Sequence, residues 1–184
     1  MPAAYISFLA DVNPHTSAVL VGVIFDQINK GATEIHLLLS TPGGLVDSGV
    51  AIYNVLKGLP VPLTTHNVGS VNSIGNVVFL AGAHRKACPH STFMYHGVGF
   101  DVMTAMRFEE KNLRERLDSI RADQSKIGAI IGERTQLTQP EIENLFLEAQ
   151  TRDTDFALAK GVIHEVAGVS LPAGAPMIQL VFQR

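Results

Sequence analysis

Gly69-Ser70-Val71-Asn72-Ser73-Ile74-Gly75 sets a serine among small residues, between an apolar run and an apolar helical stretch that continues to Leu80-Ala81-Gly82. A link of this kind from strand to helix holds a hydroxyl at the tip of a tight turn. Backbone N–H groups at the start of the helix point outward there and can stabilise a developing oxyanion. A serine hydroxyl becomes a nucleophile when a base removes its proton, and histidine is the natural base near neutral pH. Of the seven histidines, His96 is the best candidate, because it ends the apolar segment Phe93-Met94-Tyr95. The carboxyl ends of strands are where α/β sheets place ligand chemistry. The pair points to acyl transfer.

Each signal alone has a plainer explanation. A serine beside glycine at a helix start is commonly a cap. A histidine after an apolar strand is commonly structural, and Thr41-Pro42-Gly43-Gly44 alone is a plain turn. Metal chemistry is not expected: His84, His90 and His96 are six apart, and no H-x-x-x-H or C-x-x-C pair occurs.

The elements that must position these residues alternate. Tyr5 to Leu9 reads as a strand, with Thr16 as a cap for a helix carrying Val19, Leu20, Val23, Ile24 and Ile28 that ends at Lys30-Gly31. Ile35 to Leu39 reads as a buried strand, Leu45 to Leu56 as a helix, and Val61 to Val68 as a third strand. A long, highly charged helix is expected from Thr104 to Ile131. Thr138-Gln139-Pro140-Glu141 is a capping-box signature, and Asp153 can cap a further helix that Gly161 ends. Such alternation implies α/β packing around a largely parallel sheet. The final stretch, about 169–184, ends in a strand-like Ile178-Gln179-Leu180-Val181-Phe182.

The chain has 184 residues, 46% of them apolar, and a formal charge of −3, which fits one globular domain over 1–184. Without a Lys/Arg cluster no nucleic-acid partner is expected. Cys88 is the only cysteine, so no internal disulfide forms. Met1-Pro2-Ala3-Ala4-Tyr5 has neither a basic region nor a long apolar core, and no apolar stretch reaches membrane-spanning length. A cytoplasmic location is expected, with no membrane association.

From Tyr5 to Gly168 the chain resembles the proteolytic subunit of Clp protease. The matching pieces, in order, are Leu39-Ser40-Thr41-Pro42-Gly43-Gly44, Ala51-Ile52-Tyr53, the segment from Gly69 to Gly75, Ala81-Gly82-Ala83, Met94-Tyr95-His96 and Ala159-Lys160-Gly161-Val162-Ile163. The resemblance implies a spiral of ββα units, shared in outline with the crotonases, and a protruding handle helix within about 98–135. It implies a serine endopeptidase with Ser73 as nucleophile, His96 as base, and the N–H groups of Gly44 and Ile74 as the oxyanion hole. Gly43 would border an edge along which an extended peptide lies. No cofactor or metal is implied. The expected partners are short or unfolded peptides, further copies of the chain in stacked rings docked through the handle, and an ATP-driven unfoldase.

One position departs from the family pattern. The family's third catalytic residue is an aspartate upstream of the glycine matching Gly161, and an ungapped count reaches Ala149. The neighbouring acids Glu148 and Asp153 are the candidates for its role, with Asp153 also fitting a helix cap. Two other readings stand beside the peptidase: a silent family member that shapes a ring or binds peptides, and a crotonase-type acyl-CoA enzyme.

Overall fold

The computed structural model describes residues 3–102 and 107–182. In chain order the elements are β1 (Ala4–Leu9), α1 (Pro14–Asn29), β2 (Ile35–Thr41), α2 (Val46–Lys57), β3 (Leu63–Asn72), α3 (Gly75–Leu80), β4 (His84–Ala87), β5 (Thr92–Met94), α4 (Glu110–Arg134), α5 (Gln139–Glu148), β6 (Thr151–Arg152), α6 (Thr154–Ala159), β7 (Glu165–Val166) and β8 (Met177–Gln179). They form one mixed sheet with the path β6-β5-β3-β2-β1-β8, while β4 pairs with β3 and β7 with β4. Every pairing is parallel except β5 with β6. The expected α/β class is what the chain adopts.

β3 is the axis of the arrangement. Its first half, Thr64 to Asn67, pairs with β4, and its second half, Ser70 to Asn72, pairs with β5. The change of partner lets β5 run alongside the end of β3, so that the residues following both strands meet.

The sheet buries one face completely: Ala4, Ile6 and Phe8 on β1, and Ile35, Leu37 and Leu39 on β2, are all solvent-free. The opposite face is only half-buried, and there His36 stacks on Tyr5 with ring centroids 4.5 Å apart. The apolar run of β2 is therefore not buried on both sides, as its composition suggested. Alternate residues face the helices, and the others face a thinner cover.

Several boundaries differ from those expected. Asn13, not Thr16, caps α1. Its side chain accepts from the Thr16 N–H at 2.9 Å, while Thr16 Oγ1 accepts from the Asn13 N–H at 3.0 Å. Pro14 at the first helical position fixes this choice. β3 runs to Asn72, through the segment read as a link, because β5 and Thr41 pair with it there. β4 was not anticipated, since His84-Arg85-Lys86 carries no apolar alternation. The long helix begins at Glu110, where Glu109 and Asn112 form a capping box, and extends to Arg134. The part of the expected helix from Thr104 to Met106 lies outside the described residues. Only Ile127, Gly128 and Ile131 of α4 are buried, so its first turns stand away from the body. No helix among the described residues is long and apolar enough to cross a membrane.

The C-terminal stretch forms a strand: β8 lies parallel to β1, with Tyr5 opposite Met177 and Ser7 opposite Gln179. Phe182 then meets Phe8 and His15 edge-on.

Two charged clamps lock the helices that frame the β5 end. Arg85 is 5% exposed and donates to the carbonyls of Gly82, Arg134, Gly161 and Val162, at 2.7–3.2 Å. These carbonyls lie at the C-terminal ends of α3, α4 and α6, where the helix dipoles favour a cation. Burial, with Arg134 nearby, brings its pKa down to about 10, so it stays charged at neutral pH. Glu141, in the first turn of α5, bonds Lys160 at the end of α6 and accepts from the Thr138 N–H and hydroxyl. The hydrogen bond from Lys160, then those from Thr138, hold its carboxyl at about 2.

Arg85→Ala is expected to lower the unfolding free energy by roughly 3 kcal/mol, measured by urea denaturation, because the carbonyls of Arg134, Gly161 and Val162 lose a donor, while that of Gly82 keeps Arg134 Nη2 at 3.0 Å. Arg85→Lys should recover only part of that. Because the Glu141 carboxyl is depressed, its contribution is present above the usual carboxylate range and disappears as pH falls through about 2. Glu141→Gln should therefore be less stable than the parent at neutral pH, with the difference closing in strong acid.

Candidate active site

Ser73 follows β3 directly and has a left-handed backbone, φ 56°. Among the described residues only Ala149, φ 52°, shares that feature outside glycine. The link to α3 is just Ser73-Ile74, and this sharp reversal turns the serine outward. Its N–H donates to the Met94 carbonyl at 2.8 Å, which ties it to the end of β5.

The loop after β2 passes directly over Ser73. A Cβ on Gly43 would stand 2.6 Å from the Ser73 Cβ, and one on Gly44 would stand 2.1 Å from the Val12 carbonyl oxygen. Both glycines have positive φ, 96° and 149°, so only glycine permits the approach. Val12 pairs with this loop: its N–H donates to the Gly43 carbonyl at 2.7 Å, and its carbonyl accepts from the Leu45 N–H at 2.8 Å. The Gly43 N–H donates to Thr41 Oγ1 at 3.1 Å. Gly43 thus spends its main-chain groups inside the chain, and its part in the site is close passage over the serine. The N–H groups of Gly44 and Ile74 carry no hydrogen bond among the described residues. Both belong to residues that line the cavity beside Ser73.

His96 is exposed and stands two residues past the end of β5. Its Nδ1 lies 2.7 Å from the Gly97 carbonyl oxygen. A carbonyl only accepts, so this contact puts the proton on Nδ1 and leaves the Nε2 lone pair free. Ser73, His96, Gly44 and Ile74 line one cavity of ≈ 110 Å³, whose apolar wall is Val46, Val98, Ile127, Ile131 and Phe146. The Ser73 hydroxyl makes no hydrogen bond among the described residues, the open alignment common in unliganded sites.

Among the described residues no carboxylate is bonded to His96. The antiparallel pairing of β5 with β6 sets Phe93 opposite Arg152 and Met94 opposite Thr151. It continues through the Tyr95 N–H, which donates to the Gln150 carbonyl at 2.9 Å. One further step in that register would bring His96 to Ala149, whose methyl group accepts nothing, but the chain leaves the register there and the Gly97 N–H donates to the Phe146 carbonyl at 2.9 Å. Glu148 is exposed at the end of α5 and has no bond to His96. Asp153 caps α6, its Oδ1 accepting from the Phe156 N–H at 2.9 Å. Three residues at the site escaped sequence reasoning: Gly97, Asn76 and Gln150, whose Oε1 is buried without a partner among the described residues. Their contacts run through main-chain groups that only folding brings together, which leaves no mark on composition or spacing.

A family model described as Clp protease matches residues 4–170. Among solved structures, a ClpP1 mutant from Listeria monocytogenes superimposes with a TM-score of 0.78 at 16% identity, covering 89% of this chain and 90% of that chain. At that identity the likeness speaks for the fold.

The left-handed backbone at position 149 suits Asp better than Ala, because Asp and Asn are enriched there. Ala149→Asp is expected to fold and to speed modification of Ser73 by a fluorophosphonate on the order of 10- to 1000-fold, since an acid on Nδ1 aligns and stabilises the imidazolium. An unchanged rate would show that position 149 does not reach the histidine.

Proposed function

The chain belongs to the Clp protease family as a Clp serine peptidase subunit, and from that premise we propose that it is catalytically competent, working through a Ser73–His96 dyad. The observation that carries the reading is the conjunction around Ser73: a free imidazole Nε2 and two unbonded N–H groups facing one cavity.

In the proposed cycle a peptide carbonyl enters the cavity with its oxygen toward the Gly44 and Ile74 N–H groups. His96 Nε2 takes the Ser73 hydroxyl proton as Oγ attacks, and the developing oxyanion gains the two donors. His96 then protonates the leaving amine. Water, deprotonated by the same nitrogen, hydrolyses the acyl-enzyme and regenerates the serine. The Gly97 carbonyl keeps the imidazole in the right tautomer throughout. Being neutral, it stabilises the imidazolium less than a carboxylate does, so the expected rate is below that of a full triad. The wall of Val46, Ile127, Ile131 and Phe146 fits an apolar side chain next to the scissile bond.

Assembly into a ring belongs to the same reading. Leu113 and Leu117 are 53% and 44% exposed, one turn apart on the outstanding half of α4. An apolar line on a charged helix is suited to docking a second copy. Unfolded chains delivered by an ATP-driven unfoldase would be the substrates. A silent, peptide-binding subunit is the second reading, favoured by Ala149 where the family pattern keeps an aspartate.

A fluorophosphonate is expected to label the wild type at Ser73 and to leave Ser73→Ala unlabelled, with mass spectrometry locating the adduct. Fluorogenic peptides with an apolar residue before the scissile bond should be cleaved faster than those with a charged one. Absence of labelling where a known serine peptidase reacts, together with peptide binding unchanged in Ser73→Ala, would favour the silent subunit.

A further inference from the structure

We propose that Asn76 is a positioning residue for Ser73 and His96, an inference that rests on the peptidase reading above. Asn76 sits in the first turn of α3 and is 1% exposed. Its Nδ2 donates to two carbonyls at once, that of Ser73 at 3.0 Å and that of Met94 at 2.8 Å. The first belongs to the nucleophile. The second belongs to the strand that leads, two residues later, to the base. The Ser73 N–H donates to the same Met94 carbonyl at 2.8 Å. One side-chain amide thus clasps the serine turn to the histidine strand.

Two observations separate this from an ordinary packing role. Both carbonyls keep a donor without the side chain: Met94 has the Ser73 N–H, and Ser73 has the Asn76 N–H at 3.1 Å. The fold therefore does not need the amide to satisfy them. The Asn76 Oδ1, moreover, is buried with no partner among the described residues, a cost an aliphatic side chain would avoid. An amide that gives up stability beside a nucleophile is what a functional demand produces. The demand is geometric. Ser73 is held at φ 56°, and a turn in that region persists only while its surroundings hold it. Released from the clasp, the turn relaxes and carries Oγ away from Nε2.

The test compares Asn76→Leu, which removes the clasp at similar volume, and Asn76→Asp, which sets a carboxylate without donors against two carbonyls. Both are expected to slow phosphonylation of Ser73 and to lower kcat on the order of 10- to 100-fold, as small misplacements of reacting groups do. KM should stay within about twofold, because ground-state binding is untouched. The Tm of Asn76→Leu should equal or exceed that of the wild type. Rates equal to wild type in both variants, or losses that track the unfolded fraction, overturn the proposal. A wild type that is never labelled defeats the peptidase reading alone. Crystal structures of wild type and Asn76→Leu then decide the clasp: a Ser73 turn displaced from Met94 upholds it, and an unmoved turn overturns it.

Discussion

The left-handed backbone at Ser73 is the constraint on which the site depends. An L-residue held there loses roughly 1–2 kcal/mol relative to an ordinary conformation, and that cost is borne by a dense set of local contacts. The Met94 carbonyl takes the Ser73 N–H, and the glycine loop after β2 closes over the side chain. The reward is placement: the link between β3 and α3 shrinks to two residues, so the hydroxyl projects beyond the sheet instead of into it.

The exchange of partners along β3 decides where the histidine strand emerges. Because β4 takes its first half and β5 its second, the chain after β5 emerges beside the serine. β5 is only three residues long, so little of its own pairing holds it in place. It is fixed instead by β3 on one side and β6 on the other, and through β6 by α5 and α6. The carbonyl ends of α3, α4 and α6 converge on the guanidinium of Arg85, which sets those helices relative to one another. A buried cation bonded only to carbonyls is stable here because the helix dipoles supply the negative potential that a carboxylate would otherwise give.

The orientation of His96 by its own neighbour's carbonyl places this chain between two designs. A carboxylate does two things for a catalytic histidine: it selects the tautomer, and it stabilises the charge that forms. The Gly97 carbonyl does the first at 2.7 Å and the second only weakly. Ala149, just before the chain enters the β5–β6 pairing, keeps a left-handed backbone that suits an aspartate but carries alanine. A dyad built on this histidine would lack that acid's charge.

By itself the sequence determined the alternation of elements, and it singled out the serine, the histidine and the missing acid at Ala149 as candidates. These are legible because apolar periodicity and small residues around a serine are local properties of the chain. Three ends were misjudged for a common reason. The start of α1, the extent of β3 and the start of α4 depend on reciprocal caps or on strand partners distant in sequence. Only the tertiary structure decided that Val12 would take one edge of the glycine loop, that Gly97 would hold His96, and that Asn76 would bridge the carbonyls of Ser73 and Met94. Hydrogen bonds of that kind are made by whichever groups folding brings within 3 Å or so, and no spacing along the chain encodes which groups those will be.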